Sequence, residues 1–203
     1  MESVSPAGWF RSTTQAALDD RSESATIALV PFLLIRHGSV DYDSHPGRFR
    51  GHGIDLLPLS AQGVSDAEAL AVRLGESGGL DLIATSSMAR AMHTAMVICA
   101  RLRTRVVVEL DLHEWVPDLS QQWSDGEVPR TAYEELQACG GEWPVGQERS
   151  WEPHSSVRRR ATSVLTRYAN AGTVGVVTHS GVIEALTGIS GAEPCSVVRY
   201  ELP

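Results

Sequence analysis

The chain has 203 residues, enough for one domain with a sizeable core. With 42% hydrophobic and 21% charged residues it reads as globular and soluble. A formal net charge of −8 argues against nucleic acid or an anionic membrane as partner, so an anionic ligand has to be held by a local cluster of donors. Residues 1–26, rich in Ser, Thr, Ala and Asp, read as an extension, loose or docked, ahead of a single domain over 27–203. The run ATIALVPFLLI is too short to span a bilayer and carries no small-residue cleavage pattern, so no signal peptide is expected. Cys99, Cys139 and Cys195 are far apart, and so sparse a set suits a reducing cytoplasm.

From there strands and helices alternate. FLLI (32–35) predicts a buried strand. LSAQGVSDAEALAVRL (59–74) predicts a helix capped by Ser60, with Val64, Ala67, Leu70, Ala71 and Leu74 on one face. LDLIAT (80–85) is a second strand. MARAMHTAMVICARL (88–102) is a helix with Met88, Ala91, Ala95, Ile98 and Leu102 in one stripe. RVVVEL (105–110) is a third strand. Residues 115–153, with Pro, Trp, Gly and acids, read as an irregular insertion or lid holding a short helix near 131–138. SVRRRATSVLTRYAN (156–170) is a helix with Val157, Ala161, Val164, Leu165 and Tyr168 inward. TVGVVT (173–178) is a buried strand, a helix follows from about Val182, and SVVRYEL (196–202) closes the chain as a strand.

Continuous apolar strands alternating with helices predict an α/β fold, a three-layer α/β/α sandwich around a mostly parallel central sheet. The final strand is a candidate for an antiparallel edge. Ligands of such sheets bind beyond the carboxyl ends of the strands. Polar residues stand at those ends: Arg36 and His37 after the first strand, Ser86, Ser87 and Arg90 after the second, His113 and Glu114 beyond the third, His179 and Ser180 after the late one.

Two guanidinium forks can grip a tetrahedral oxyanion. A neutral imidazole can accept a phosphoryl group covalently, and a second can donate to its oxygens in transfer. A protonated carboxyl can supply the leaving alkoxide with its proton, and N–H groups at the helix start after THSG add anion affinity. The set suffices for phosphoryl transfer with no metal. It is a poor metal site, because the Arg pair repels a cation and no HxH or HExxH spacing occurs.

RHG (36–38), LSAQG (59–63), SSMARAMHTA (86–95), LHE (112–114) and VVTHSGVIEALTG (176–188) resemble, in order and spacing, the histidine phosphatase superfamily, in its branch of phosphoglycerate mutases and broad-specificity phosphatases. The resemblance implies a phosphoglycerate mutase-like fold and a role for each residue. His37 would be the phosphorylated nucleophile, Arg36 and Arg90 would bind the phosphoryl group, His179 would complete the pocket with Ser180 beside it, and Glu114 would be the proton donor. The implied activity is hydrolysis of a small phosphorylated metabolite, with no metal or organic cofactor. The alternatives are a phosphomutase, a phospho-ligand binder without turnover, and a redirected member.

The chain departs from the family pattern at Val40 and Asp43, where many members carry Thr and Asn. Asp43 there would repel phosphate unless protonated, paired with Arg48 or Arg50, or turned away, and it could instead meet a hydroxyl or amine of an unusual substrate. His93 replaces a family Gln and reads as a packing change. Trp115, Asp118 and Trp123 follow Glu114, as a contact for an organic group or as a hydrophobic seam, and Asp118 is a rival acid. Arg158, Arg159 and Arg160 read as a solvated helix face. His45, His52 and His154 lie in polar loops with no expected role.

Overall fold

The structure is a computed structural model, described here over residues 32–44, 51–122 and 126–203. Expectations for the extension at 1–26 and for His45, Arg48, Arg50 and Trp123 fall outside the described residues, as does the side chain of His52. The apolar runs form strands β1 (Phe32–Arg36), β2 (Leu82–Ser86), β3 (Arg105–Glu109), β4 (Val174–Thr178) and β5 (Val197–Tyr200). Among the described residues these make one sheet in the order β3-β2-β4-β1-β5. β1, β2, β3 and β4 run parallel, and β5 pairs antiparallel with β1 at the edge.

Helices α1 (Ala61–Glu76), α2 (Ala89–Leu102), α3 (Glu127–Ala138), α4 (His154–Arg167) and α5 (Ser180–Thr187) cover the sheet. Successive strand side chains point to opposite faces, so each central strand feeds two cores. Leu34, Leu82, Ala84 and Val176 join Val157, Leu165 and Ile183 on the face of α3, α4 and α5. Ile35, Ile83 and Val177 join Leu70, Ala91 and Ile98 on the face of α1 and α2. β2 and β4 are buried along their whole length, as parallel strands under two helical layers must be. β3 lies at an edge and is half open, with Val108 exposed.

Ser60 caps α1 as expected, its side chain accepting from the Gly63 N–H. Ala67, Leu70, Ala71 and Leu74 are buried on that helix, while Val64 is only partly so. α3 starts several residues earlier than its sequence pattern suggests. Pro129 sits in its first turn, where the missing N–H has no carbonyl to serve. The 115–153 segment is anchored in the core by Trp115, Ala132, Leu136 and Trp151.

The run 158–160 is a correction. Arg158 reaches the Ala185 carbonyl and Glu142, but Arg160 turns inward instead of facing solvent. Its side chain is 12% exposed against a Glu152 side chain that is 6% exposed. A single helix carries solvent and core faces side by side, and the third arginine falls on the inner one.

Candidate active site

Register builds the site. Arg36 pairs with Thr178 across the parallel β1–β4 ladder, so His37 and His179, one residue further on, leave the sheet side by side. The His37 N–H donates to the Thr178 carbonyl at 3.0 Å. The two rings meet edge to face, with centroids 5.1 Å apart. β2 brings Ser86 to the same edge, where its hydroxyl lies 2.8 Å from His179 Nε2. His179 is fully buried, and its Nδ1 has no protein partner.

The RHG turn is fixed from two sides. The Gly38 N–H donates to Thr94 Oγ1 at 3.0 Å, and Thr94 lies one helical turn after Arg90 on α2. On the other side the turn presses on the start of α1. A Cβ on Gly38 would lie 2.7 Å from the Gly63 carbonyl oxygen, and one on Gly63 would lie 2.2 Å from that of Ser39. Only glycines permit this contact, which explains physically why RHG and LSAQG occur together. Gly38 therefore approaches a neighbouring chain segment, the start of α1.

His37 Nδ1 lies 2.8 Å from the Gly38 carbonyl oxygen. A carbonyl only accepts, so Nδ1 carries the ring proton and Nε2 keeps its lone pair. Burial lowers the His37 pKa to about 3, against the raising effect of the Gly38 bond and with help from the Arg90 and Arg36 charges. The ring is neutral at pH 7. Burial also holds His179 well below the ordinary imidazole value, with Arg90 the next cause.

Arg90 is buried at the start of α2. It donates to Asp55 Oδ1 at 3.3 Å and contacts the Met88 sulfur at 3.1 Å. Arg36 donates to the Ala192 carbonyl, and its Nε is buried without a protein partner. Both guanidinium groups act on His37 and on Glu114, which places all four together.

Glu114 lies just past the 3-10 turn Leu110–Leu112 that follows β3. Its Oε1 accepts from the Trp115 N–H at 2.8 Å and from the Gly181 N–H at 3.1 Å. The Gly181 donor at the start of α5 thus serves Glu114. A Cβ on Gly181 would come within 2.7 Å of Glu114 Oε1, so glycine is what lets the carboxyl approach. Burial raises the Glu114 pKa above the ordinary carboxyl value, against the two N–H bonds and the Arg charges.

Arg160 holds the Glu114 segment from behind. It donates to the carbonyls of Asp111 at 2.7 Å, His113 at 2.8 Å and Glu114 at 3.2 Å. The His113 ring folds back onto the Glu114 carbonyl, 2.7 Å from its Nδ1. Asp118 binds the Ser120 N–H and hydroxyl in a partly open turn, so its carboxyl organises the loop. Trp115 donates from its indole to the Glu152 carbonyl at 2.6 Å and stands edge to face with Tyr133.

Arg36, His37, Arg90, Glu114 and His179 are thus brought together. Ser180 is the first residue of α5 and lines the adjoining cavity. Asp43 is exposed in the 41–44 turn and is not among the described residues that line the adjoining cavity. His93 accepts the Leu59 N–H on Nδ1 at 3.3 Å. Sequence reasoning gave no role to Asp55, Thr94, Glu152 or Glu184. Only Thr94 left a trace, its four-residue spacing from Arg90 on one helix face. Among the described residues no cluster of three or more His, Cys, Asp or Glu is arranged to hold a metal ion, and no helix is long and apolar enough to cross a membrane.

Fold and strand-end site define a phosphoglycerate mutase-like α/β protein. The histidine phosphatase superfamily (branch 1) matches residues 32–202, and the chain belongs to that family. It is similar in structure to a mycobacterial glucosyl-3-phosphoglycerate phosphatase, with a TM-score of 0.64 and 22% identity over 84% of this chain and 90% of that one. Bacillus stearothermophilus YhfR gives a TM-score of 0.64 and 22% identity over 85% and 91%. Phosphoglycerate mutase from Thermus thermophilus gives 0.58 and 23% over 85% and 94%. No curated protein matches the chain.

Proposed function

We propose that the protein is a metal-independent phosphatase that hydrolyses a small phosphomonoester through a phosphohistidine on His37. The observation that carries this reading is the bond from His37 Nδ1 to the Gly38 carbonyl, which leaves a neutral Nε2 lone pair between two arginines. Nε2 attacks phosphorus in line with the ester oxygen, and the P–O bond breaks as the P–N bond forms. Arg36 and Arg90 hold the non-bridging oxygens, with His179 and Ser180 completing the cradle. Glu114, whose carboxyl burial inclines to stay protonated, gives its proton to the leaving oxygen. As a carboxylate it then takes a proton from the water that attacks phosphorus. The P–N bond breaks, inorganic phosphate departs, and His37 regains its lone pair.

The structural neighbours include both a phosphatase and a mutase, so the fate of the phosphohistidine distinguishes two readings. Transfer to water favours the phosphatase, and transfer to a second hydroxyl the mutase. Cys99, Cys139 and Cys195 are free thiols, which supports residence in the reducing cytoplasm.

The test is incubation with a panel of phosphomonoesters in the presence of a chelator. The expected results are released phosphate, an acid-labile phosphoenzyme, and loss of both in His37→Ala. Turnover surviving in His37→Ala overturns the covalent route. An isomerised ester with no free phosphate identifies a mutase.

A further inference from the structure

A cavity of about 430 Å³ opens directly beside the proposed phosphoryl site, with Arg90 and Glu114 in its wall. That volume suits a small organic ligand. Apolar side chains make up much of its lining, among them Met88, Trp115, Val116, Pro129 and Leu136. Its charges are unbalanced. Besides Glu114 it carries the carboxylates of Asp55 and Glu184, while Arg90 is the one Arg or Lys among the described lining residues. Arg90 already meets Asp55 and is assigned to the phosphoryl group.

Glu184 is placed with care. It is buried on α5, accepting from Gln137 Nε2 at 2.8 Å and from the Tyr133 hydroxyl at 3.3 Å. Both donors come from α3, a helix that also lines the cavity through Pro129, Tyr133 and Leu136. A carboxylate can accept about four hydrogen bonds, so the pair leaves it capacity for a ligand donor.

We propose that this cavity receives the alcohol part of the substrate, and that it selects an apolar, ring-sized group bearing a hydroxyl or ammonium donor for Glu184 and no second anion. The inference rests on the phosphomonoesterase reading of the adjoining site. An apolar ring gains by leaving water against Trp115, Met88 and Leu136. A carboxylate or second phosphate on the same ring is repelled by Asp55 and Glu184 and loses its hydration without a cation in return. Esters of acidic alcohols, such as phosphoglycerates, are poor candidates.

The experiment uses three matched ligands: benzylphosphonate, its 4-aminomethyl derivative and its 4-carboxy derivative, which bind but cannot be hydrolysed. Binding to the full chain is measured by calorimetry, and the matching benzyl phosphates are assayed for turnover. The ammonium ligand is expected to bind about fivefold more tightly than the plain one, and the carboxylate at least about tenfold more weakly. Glu184→Gln is expected to shrink the ammonium-to-plain ratio to near unity. Equal binding of all three ligands, or a preference for the carboxylate, overturns the inference from the wild type alone, whether or not the variant folds. An unchanged ratio in a folded Glu184→Gln also overturns the part assigned to Glu184. Should the binding order hold while neither the benzyl phosphates nor any ester of the wider panel is hydrolysed, the ligand preference of the cavity stands and the phosphatase reading falls.

Discussion

Arg160 and Glu152 face each other in two parallel hydrogen bonds, Nε to Oε1 at 2.9 Å and Nη2 to Oε2 at 3.0 Å. Paired this way, the guanidinium is fixed in plane, and its remaining donors reach the carbonyls of Asp111, His113 and Glu114. A partly buried arginine so deployed shapes the backbone that presents Glu114. Arg160 is a positioning residue. Arg160→Lys keeps the charge but loses the fork, and turnover of alkyl phosphates is expected to fall about 100-fold. The 4-nitrophenyl ester, whose leaving group needs no proton, should fall far less. Equal loss for both esters in the phosphorylation step, measured as the burst rate of a variant that still folds, would show that Arg160 does not act through the Glu114 proton.

Glu114 gives the complementary test. Glu114→Gln removes the transferable proton while keeping the contact with the Trp115 N–H, and should slow alkyl esters by about 100-fold or more. The nitrophenyl ester should again be spared in the first step. Gly181→Ala should copy this pattern while leaving the carboxyl chemically intact, because the new Cβ would lie 2.7 Å from Oε1 and 2.9 Å from the Trp115 Cβ and push the carboxyl out of place. A variant of Gly181 that turns over alkyl esters normally would show that the carboxyl can act from another position.

The strand ends were legible because the central strands β2 and β4 run parallel and are buried on both faces. Continuous apolar runs announced the strands, and site residues stand at or just past their ends: Arg36 ends β1, Ser86 ends β2, and His179 follows Thr178 at the end of β4. What supports those residues was not legible. Arg160 follows two other arginines on a polar helix, and the carbonyls it grips at 111, 113 and 114 carry no side-chain signal. Asp55 lies in a polar stretch, a 3-10 turn at Gly51–Leu56, whose approach to α2 depends on tertiary packing. Glu184 reads as one acid in an apolar helix until α3 is seen to supply Tyr133 and Gln137. Motif residues sit at fixed sequence offsets, whereas their partners are chosen by how helices pack.

Asp55 holds Arg90 at 3.3 Å, with 31% of its own side chain still exposed. An incoming phosphoryl oxygen has to displace that carboxylate or share the guanidinium with it. Asp55→Asn removes the charge that competes, and inorganic phosphate is expected to bind about fivefold more tightly, read by calorimetry. Weaker binding would show that Asp55 serves to orient Arg90.

Stability should fall as the solution is acidified from neutrality. Burial is the leading cause that lowers the pKa of His37, His113, His154 and His179. A lowered pKa means the unfolded chain binds protons that the folded chain refuses, so stability rises with pH across the gap. For His37 the gap runs from 6.5 in the unfolded chain to about 3 in the folded one. Its contribution is complete above pH 6.5 and is lost as pH drops toward 3. Between pH 6.5 and 4 this one ring accounts for on the order of 3 kcal/mol. Glu114 works in the opposite sense, since its raised pKa makes the folded chain hold a proton longer than the unfolded one, a gain kept at low pH and lost as pH rises. Four histidines against one carboxyl leave a net loss in acid. Urea unfolding at pH 6.5, 5.5 and 4.5 without phosphate should show it. His37→Asn should flatten the slope by about 1.4 kcal/mol per pH unit. A variant slope equal to the wild type would mean that His37 titrates alike in both states, and that its neutrality at pH 7 is no more than an ordinary imidazole's.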